Sequence, residues 1–185
     1  MALGGLNTEE EIWQQLSNPS TCNKAFAELV NRYSEQLYWK IRGIVLDHED
    51  ANDVLQNTFL KAWRNISEFH GNSKIFTWLY RIAINESLDF LRRKKNHNLR
   101  SVDGNMSIAH SLMADEYFDG DKSAALLQEA IATLPDVQRL VFNLRYFDEM
   151  KYSEMSKLLD TSEGALKASY HIAVQKISNY VKQKN

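Results

Sequence analysis

The stretch Ser73–Lys95 reads SKIFTWLYRIAINESLDFLRRKK, and how it is wound decides the fold. An α-helix advances about 100° per residue, so faces follow from position. With Ile75 at zero, Leu79, Ile82, Ala83 and Phe90 share its side. Tyr80, Ile84, Leu88 and Leu91 fall on the opposite side. A helix with two apolar stripes must be covered twice, which places it between other helices. Between the stripes, near about 240–300°, lie Lys74, Trp78, Arg81, Asn85 and Arg92 on one ribbon. Cations suit phosphates, an amide suits a base edge, and an indole suits stacking on an exposed base. A solvated face with Trp78 tucked under a neighbour has the same pattern, and the ribbon alone does not choose between the two. Lys94 and Lys95 read more simply as a charged helix end.

Working outward, the rest of the chain is also helical in pattern. Thr8-Glu9-Glu10-Glu11 is a capping box opening a short helix to about Leu16, and Asn18-Pro19-Ser20 breaks it. From about Asn23 to Leu46, Phe26, Leu29, Val30, Tyr33, Leu37, Ile41 and Ile44 recur at spacings of three and four, predicting a long amphipathic helix. Asp47-His48-Glu49-Asp50 is a polar break and cap. A helix follows over roughly 50–66, with Val54, Leu55, Thr58, Phe59, Ala62, Trp63 and Ile66 inward and Phe59 and Trp63 expected in the core. Phe69–Ser73 is a loop, with Ser73 or Asn72 expected to cap the helix quoted above. Residues 97–121 lose periodicity. Helices resume at about 123–132, 136–147, 152–159 and 163–182, with Pro135 at the start of the second. No strand pattern competes. The fold class expected is all-α: two small helical domains joined by a flexible acidic linker.

Composition sets limits. The 185 residues contain 7 Gly and 2 Pro, too few for a turn-rich β fold. The single cysteine, Cys22, forms no internal disulfide and fits a reducing cytosol. Three glutamates open the chain without an apolar run, so no secretory signal is expected, and no apolar stretch is long enough to span a membrane. Net charge is −2, but it is segregated. Residues 74–100 carry 7 basic and 2 acidic groups, whereas 101–121 carry 5 acidic and no basic ones. Local fields of that kind steer a ligand more than the total does. The five histidines (48, 70, 97, 110 and 171) are scattered. With no metal-ligand cluster, phosphate loop or nucleophile motif, neither a cofactor, a metal, a small-molecule substrate nor an enzyme is expected.

The C-terminal half has the outline of a helix-turn-helix. YSEMSKLL at 152–159 is followed by Asp160-Thr161 and by Ser162, a good N-cap, before the last helix. On that helix Leu166, Tyr170, Ala173, Ile177 and Val181 form an inward stripe. Gly164, Lys167, Ala168, His171 and Gln175 lie opposite, where small residues allow close approach and Lys167, His171 and Gln175 can reach phosphates or base edges. An ordinary helical hairpin is the other reading, with His171 a surface residue.

Taken together, the two halves resemble the extracytoplasmic-function (ECF) group of sigma-70-type factors of bacterial RNA polymerase. FAELVNRYSEQLYWKIRGIVLDHEDANDVLQNTFLKAW and FHGNSKIFTWLYRIAINESLDFLRRKK are similar to its region 2. LPDVQRLVFNLRYFDEMKYSEMSKLLDTSEGALKASYHIAVQKI is similar to region 4. The resemblance implies region 2 over 7–96, an acidic linker over 97–121 and region 4 over 122–185. It implies docking on the polymerase clamp through Asp53, Gln56, Asn57 and Lys61, although the family often has Glu where Asn57 stands. It implies capture of a promoter −10 base by Asn72, Ser73 and Asn85, with Phe76 and Trp78 near the melted strand and Arg81, Arg92 and Arg93 on phosphates, and the ribbon adds Lys74 to this −10 set. For the −35 duplex it implies Glu163, Gly164, Lys167, Ala168, His171 and Gln175. Many relatives have Lys-Ser-Arg and His-Arg there. This chain has Lys167-Ala168-Ser169 and His171-Ile172, so a different −35 preference and weaker salt dependence are expected.

The implied partners are core RNA polymerase and promoter DNA in the cytoplasm, with an anti-sigma factor a common further one. The acids at 115–121 would lie toward the RNA exit channel and imitate a transcript, or serve as a solvated tether. The alternative reading is a stand-alone helix-turn-helix regulator, and a third is a domain that binds only protein.

Overall fold

A computed structural model describes residues 8–69, 71, 73–98 and 122–184. Among them the secondary structure is helical: α1 (Glu9–Leu16), α2 (Cys22–Val45), α3 (His48–Arg64), a 3-10 turn (Ile66–Glu68), α4 (Ile75–Asn98), α5 (Lys122–Ala132), α6 (Asp136–Tyr146), α7 (Tyr152–Leu159) and α8 (Glu163–Lys184). None of these helices is long and apolar enough to cross a membrane. From residue 99 on, the expected linker lies outside the described residues, and 97–98 continue α4. The chain divides into two compact units, one of Met1–Ile41 with Ala51–Phe90, the other of Arg42–Asp50 with Leu91–Asn185.

In the first unit the two-sided burial of α4 is realised over its first half. Ile75, Leu79 and Ala83 on one side, and Tyr80 and Ile84 on the other, are all buried. Leu29, Tyr33 and Leu37 of α2 and Val54, Phe59 and Ala62 of α3 are buried in the same unit. Each fully buried leucine-sized side chain contributes about 2 kcal/mol, which fixes α4 more firmly than any surface contact does. Ser87, also buried, returns its hydroxyl to the Ala83 carbonyl at 2.7 Å, so no donor is stranded. Farther along, Ile82, Leu88, Phe90 and Leu91 are only half-buried.

The caps follow sequence chemistry with one exception. Thr8 accepts from the Glu11 amide at 3.2 Å, and Glu11 accepts from the Thr8 amide at 2.6 Å, completing the capping box. Asp47 Oδ1 accepts from the amides of Glu49 and Asp50 at 2.9 and 3.0 Å, so α3 starts two residues earlier than expected. The exception is α4: it opens at Ile75, directly after Lys74 rather than after Ser73. Asn72, the alternative cap, lies outside the described residues. A second correction concerns Trp63. It is 37% exposed and leans edge-on against Phe26, at 4.9 Å between ring centroids, instead of entering the core. The stripe calculation counts it inward, but α2 covers only part of that side of α3.

In the second unit, Ala130 and Ile131 of α5, Leu134, Phe142 of α6, and Ala173 and Ile177 of α8 make one cluster, with Leu127, Tyr170, Tyr180 and Val181 packed on it. Met155 and Leu166 are buried as well, so α7 and α8 are held by their own apolar faces. Asp160 turns the chain with φ 48 and ψ 46, a left-handed conformation that aspartate tolerates. Ser162 Oγ then accepts from the Ala165 amide at 3.3 Å and opens α8. Arg139, 3% exposed, donates to the Leu134 carbonyl at 2.8 Å and to Asp136 at 2.7 Å. Burial lowers its pKa and Asp136 opposes that shift, consistent with a guanidinium that keeps its charge.

Candidate nucleic-acid interface

Core packing fixes the rotation of α4, and that rotation decides what its ribbon shows. With Ile75, Leu79 and Ala83 inward on one side and Tyr80 and Ile84 inward on the other, Lys74, Arg81, Asn85 and Arg92 are exposed. Trp78 is half-buried, its ring 5.1 Å from Phe69 at 40°. Phe69 is itself 3% exposed, so Trp78 rests on a fixed wall with part of its surface open. The arrangement presents three cations, one amide and one braced aromatic along a single helix edge. That set can hold a single strand by its phosphates and one base by hydrogen bonds and stacking.

The remaining candidates around α4 divide. Ser73 is exposed at the entrance of the helix, whereas Asn72 lies outside the described residues. Phe76 does not join the ribbon. It lies about 160° around the helix from Arg92's line, between Tyr33 at 5.6 Å and the stacked ring of Tyr80 at 5.9 Å. Arg93 is exposed on the line of Ile75, beside the ribbon rather than in it. Lys94 is ion-paired with Asp50.

On α3, Asp53, Gln56 and Asn57 are exposed along one strip. Lys61 is paired with Glu86 of α4 at 2.7 Å. Beside the strip runs an apolar groove of about 580 Å³ between α2 and α3, lined among others by Phe26, Val30, Leu55, Phe59, Leu60 and Trp63. Leu60, 48% exposed, was missed by sequence reasoning. Its signal was available: it is a leucine on the face of α3 that otherwise carries Asp53, Asn57 and Arg64.

On α8, Glu163, Gly164, Lys167, Ala168, His171 and Gln175 are all exposed on the side away from the core. A Cβ added at Gly164 would meet nothing within 4 Å, so the approach to the backbone there is open. Lys167 is 3.7 Å from Glu163 and lies 5.6 Å from the centre of the Tyr152 ring, which limits its sweep. His171 and Gln175 share a hydrogen bond of 3.0 Å between their Nε2 atoms. In the expected helix-turn-helix manner, α7 braces the helix that offers these groups.

Comparison with known proteins covers both units. The Sigma-70 region 2 family profile matches residues 29–97, and the Sigma-70, region 4 profile matches residues 124–177. The chain is 31% identical over 157 residues to the ECF RNA polymerase sigma factor SigW of Bacillus subtilis, covering 80% of this chain and 83% of that one. It is 28% identical over 170 residues to the ECF RNA polymerase sigma-E factor of Haemophilus influenzae, covering 85% and 88%. Among solved structures, the fold is similar to the sigma factor RpoE in complex with the anti-sigma factor NepR from Bartonella quintana. The TM-score is 0.67 at 19% identity, over 86% of this chain and 98% of that one. It is also similar to CnrH in complex with the cytosolic domain of CnrY, with a TM-score of 0.62 at 22% identity over 96% and 98%.

Proposed function

Because the chain belongs to the extracytoplasmic-function sigma factors of the sigma-70 family, we propose that it divides promoter recognition among three of its helices. It is an alternative sigma factor that directs core RNA polymerase to specific promoters. In the division proposed, α3 and its groove dock on polymerase, the α4 ribbon captures a −10 base, and α8 seats the −35 duplex. In this reading the domains run over 7–96 and 122–185, wider at their outer ends than the matched stretches 29–97 and 124–177. The exposure of Arg81 and Asn85 on a helix otherwise buried on two sides supports this reading most directly.

Melting is a question of magnitudes. Flipping one base out of a duplex costs a few kcal/mol. A base-specific hydrogen-bond pair returns about 1–3 kcal/mol, and a stacked base about as much. Asn85 with Trp78 can therefore offset one extruded base, and no bond is made or broken by the protein. The balance is favourable only while the chain is fixed on polymerase and DNA. Docking by α3 and anchoring by α8 are thus part of the opening step. The process belongs to the cytoplasm, where polymerase and promoter meet. An anti-sigma factor is a further partner in this reading, supported by the structural relative RpoE, which was solved with one.

A stand-alone helix-turn-helix regulator needs only the second unit. Both regions match in order here, so that alternative is set aside. In vitro transcription with core polymerase on fragmented genomic DNA tests the function. Discrete start sites that depend on the added chain and share −10 and −35 elements are expected. Binding to duplex DNA without polymerase, and no initiation with it, would count against it.

Lys167→Ala tests the −35 assignment. Removing one phosphate contact is expected to weaken holoenzyme binding on all promoters alike and to reduce the slope of log affinity against log salt by about 1. Promoter binding measured from low to physiological salt reads this directly, and an unchanged slope would remove Lys167 from the contact.

A further inference from the structure

We propose that Trp13, on the N-terminal helix, is a positioning residue for −10 base reading, acting through Phe69 and Gly71 on the loop that enters α4. The inference rests on the assignment of the α4 ribbon to base capture. It gives a role to a segment that neither matched region includes, since the first begins at residue 29.

α1 is short, but it is anchored at several points. Ile12 and Leu16 are buried, and the capping box closes its start. The Tyr33 hydroxyl donates to Glu9 at 3.0 Å. At the other end, Thr21 Oγ1 donates to the Gln15 carbonyl at 2.7 Å. These contacts fix which way Trp13 points. Its ring meets Phe69 edge-on, 4.9 Å between centroids at 88°. Its indole nitrogen lies 3.4 Å from where a Cβ on Gly71 would stand, and Gly71 has φ +71, a conformation that favours glycine. Gly71 therefore sits close beside the indole nitrogen of Trp13, at a residue with no side chain to hold it elsewhere.

Phe69 carries the contact onward. It is buried and touches Trp13 on one side and Trp78 on the other. Three rings thus connect α1 to the aromatic of the ribbon. The tilt of Trp78 and the path of the backbone at Gly71 share one support. Specific reading of a base needs both the stacking ring and the hydrogen-bonding groups held within a fraction of an ångström, and a loosened support relaxes discrimination before it abolishes binding.

The test uses the full chain in holoenzyme on the cognate promoter and on three versions with each other base at the captured −10 position. Trp13→Ala is expected to lower the ratio of cognate to best non-cognate transcription by about three- to tenfold, the worth of an aromatic contact. Core polymerase affinity should be unchanged, and Trp13→Phe should restore most of the ratio. Glu10→Ala changes an exposed residue of α1 that makes none of these contacts and should leave the ratio as it is. If Trp13→Ala does not fold, Trp13→Leu keeps an apolar side chain without the flat ring and gives the same readout. An unchanged ratio in the folded variant, or an equal loss on all four promoters, would overturn the inference. If Asn85→Ala impairs opening while Trp13→Ala leaves the ratio intact, only the role of Trp13 falls. If neither variant has an effect, the base-capture reading falls with it.

Discussion

Asn85→Ala is expected to slow promoter opening by about 5- to 150-fold, with no change in affinity for core polymerase. The range is the one set by a base-specific contact of about 1–3 kcal/mol, at about 1.4 kcal/mol per factor of ten. Asn85 is exposed at the centre of the ribbon, so its truncation removes no core packing and should leave the fold intact. Asn85→Asp separates the amide from simple bulk. It keeps the size, loses both N–H donors and brings a negative charge toward phosphates, so it should open promoters no better than alanine does. Arg81→Ala should differ in kind. A phosphate contact carries little sequence information, so its loss should be graded by salt and similar across −10 variants. Opening is read by permanganate reactivity of unpaired thymines, and core affinity by competition with a labelled sigma factor.

Leu60→Asp is expected to weaken core polymerase binding by at least about 30-fold, the effect of losing one interface hot spot. Leu60 is 48% exposed at the rim of the groove between α2 and α3, and an exposed leucine there has no structural duty. The free chain should keep its thermal midpoint, because the aspartate stays in water until a partner covers it. Covering it would bury an unpaired carboxylate, which is costly. Lys61→Ala makes the contrast. Its ammonium is already held by Glu86 at 2.7 Å, and a partly exposed ion pair of this kind is worth at most about 1 kcal/mol. A small effect at Lys61 beside a large one at Leu60 would identify the groove, rather than the charges on α3, as the seat of polymerase. Equal effects, or none at Leu60, would reverse that assignment.

What could be read in advance follows from how local each signal is. The capping box at Thr8 and the cap at Ser162 depend on residues three apart, and both are realised. The inward stripe of α8 and the ribbon of α4 depend on helical period alone. Leu166, Ala173 and Ile177 are buried as that period requires, and Arg81 and Asn85 are exposed. The positions that the helical period leaves open are those where a second helix decides. Trp63 lies on the apolar side of α3, yet α2 offers Phe26 as a partner and leaves the rest of the ring open. Phe76 was attached to the melted strand through family likeness, whereas its ring lies between Tyr33 and Tyr80. Trp13 could be placed on a helix from sequence. Its contacts with Phe69 and Gly71 depend on packing between segments more than fifty residues apart, and no periodicity reports that.

The most direct test places a photoreactive benzophenone side chain at position 78, an aromatic ring in place of the Trp78 indole, and irradiates the open complex formed with core polymerase. If the ribbon of α4 holds an unpaired strand, the adduct forms with a non-template base of the −10 element and is lost on double-stranded DNA that cannot open. An adduct confined to protein or to the template strand, in a complex shown by permanganate to be open, would contradict the account.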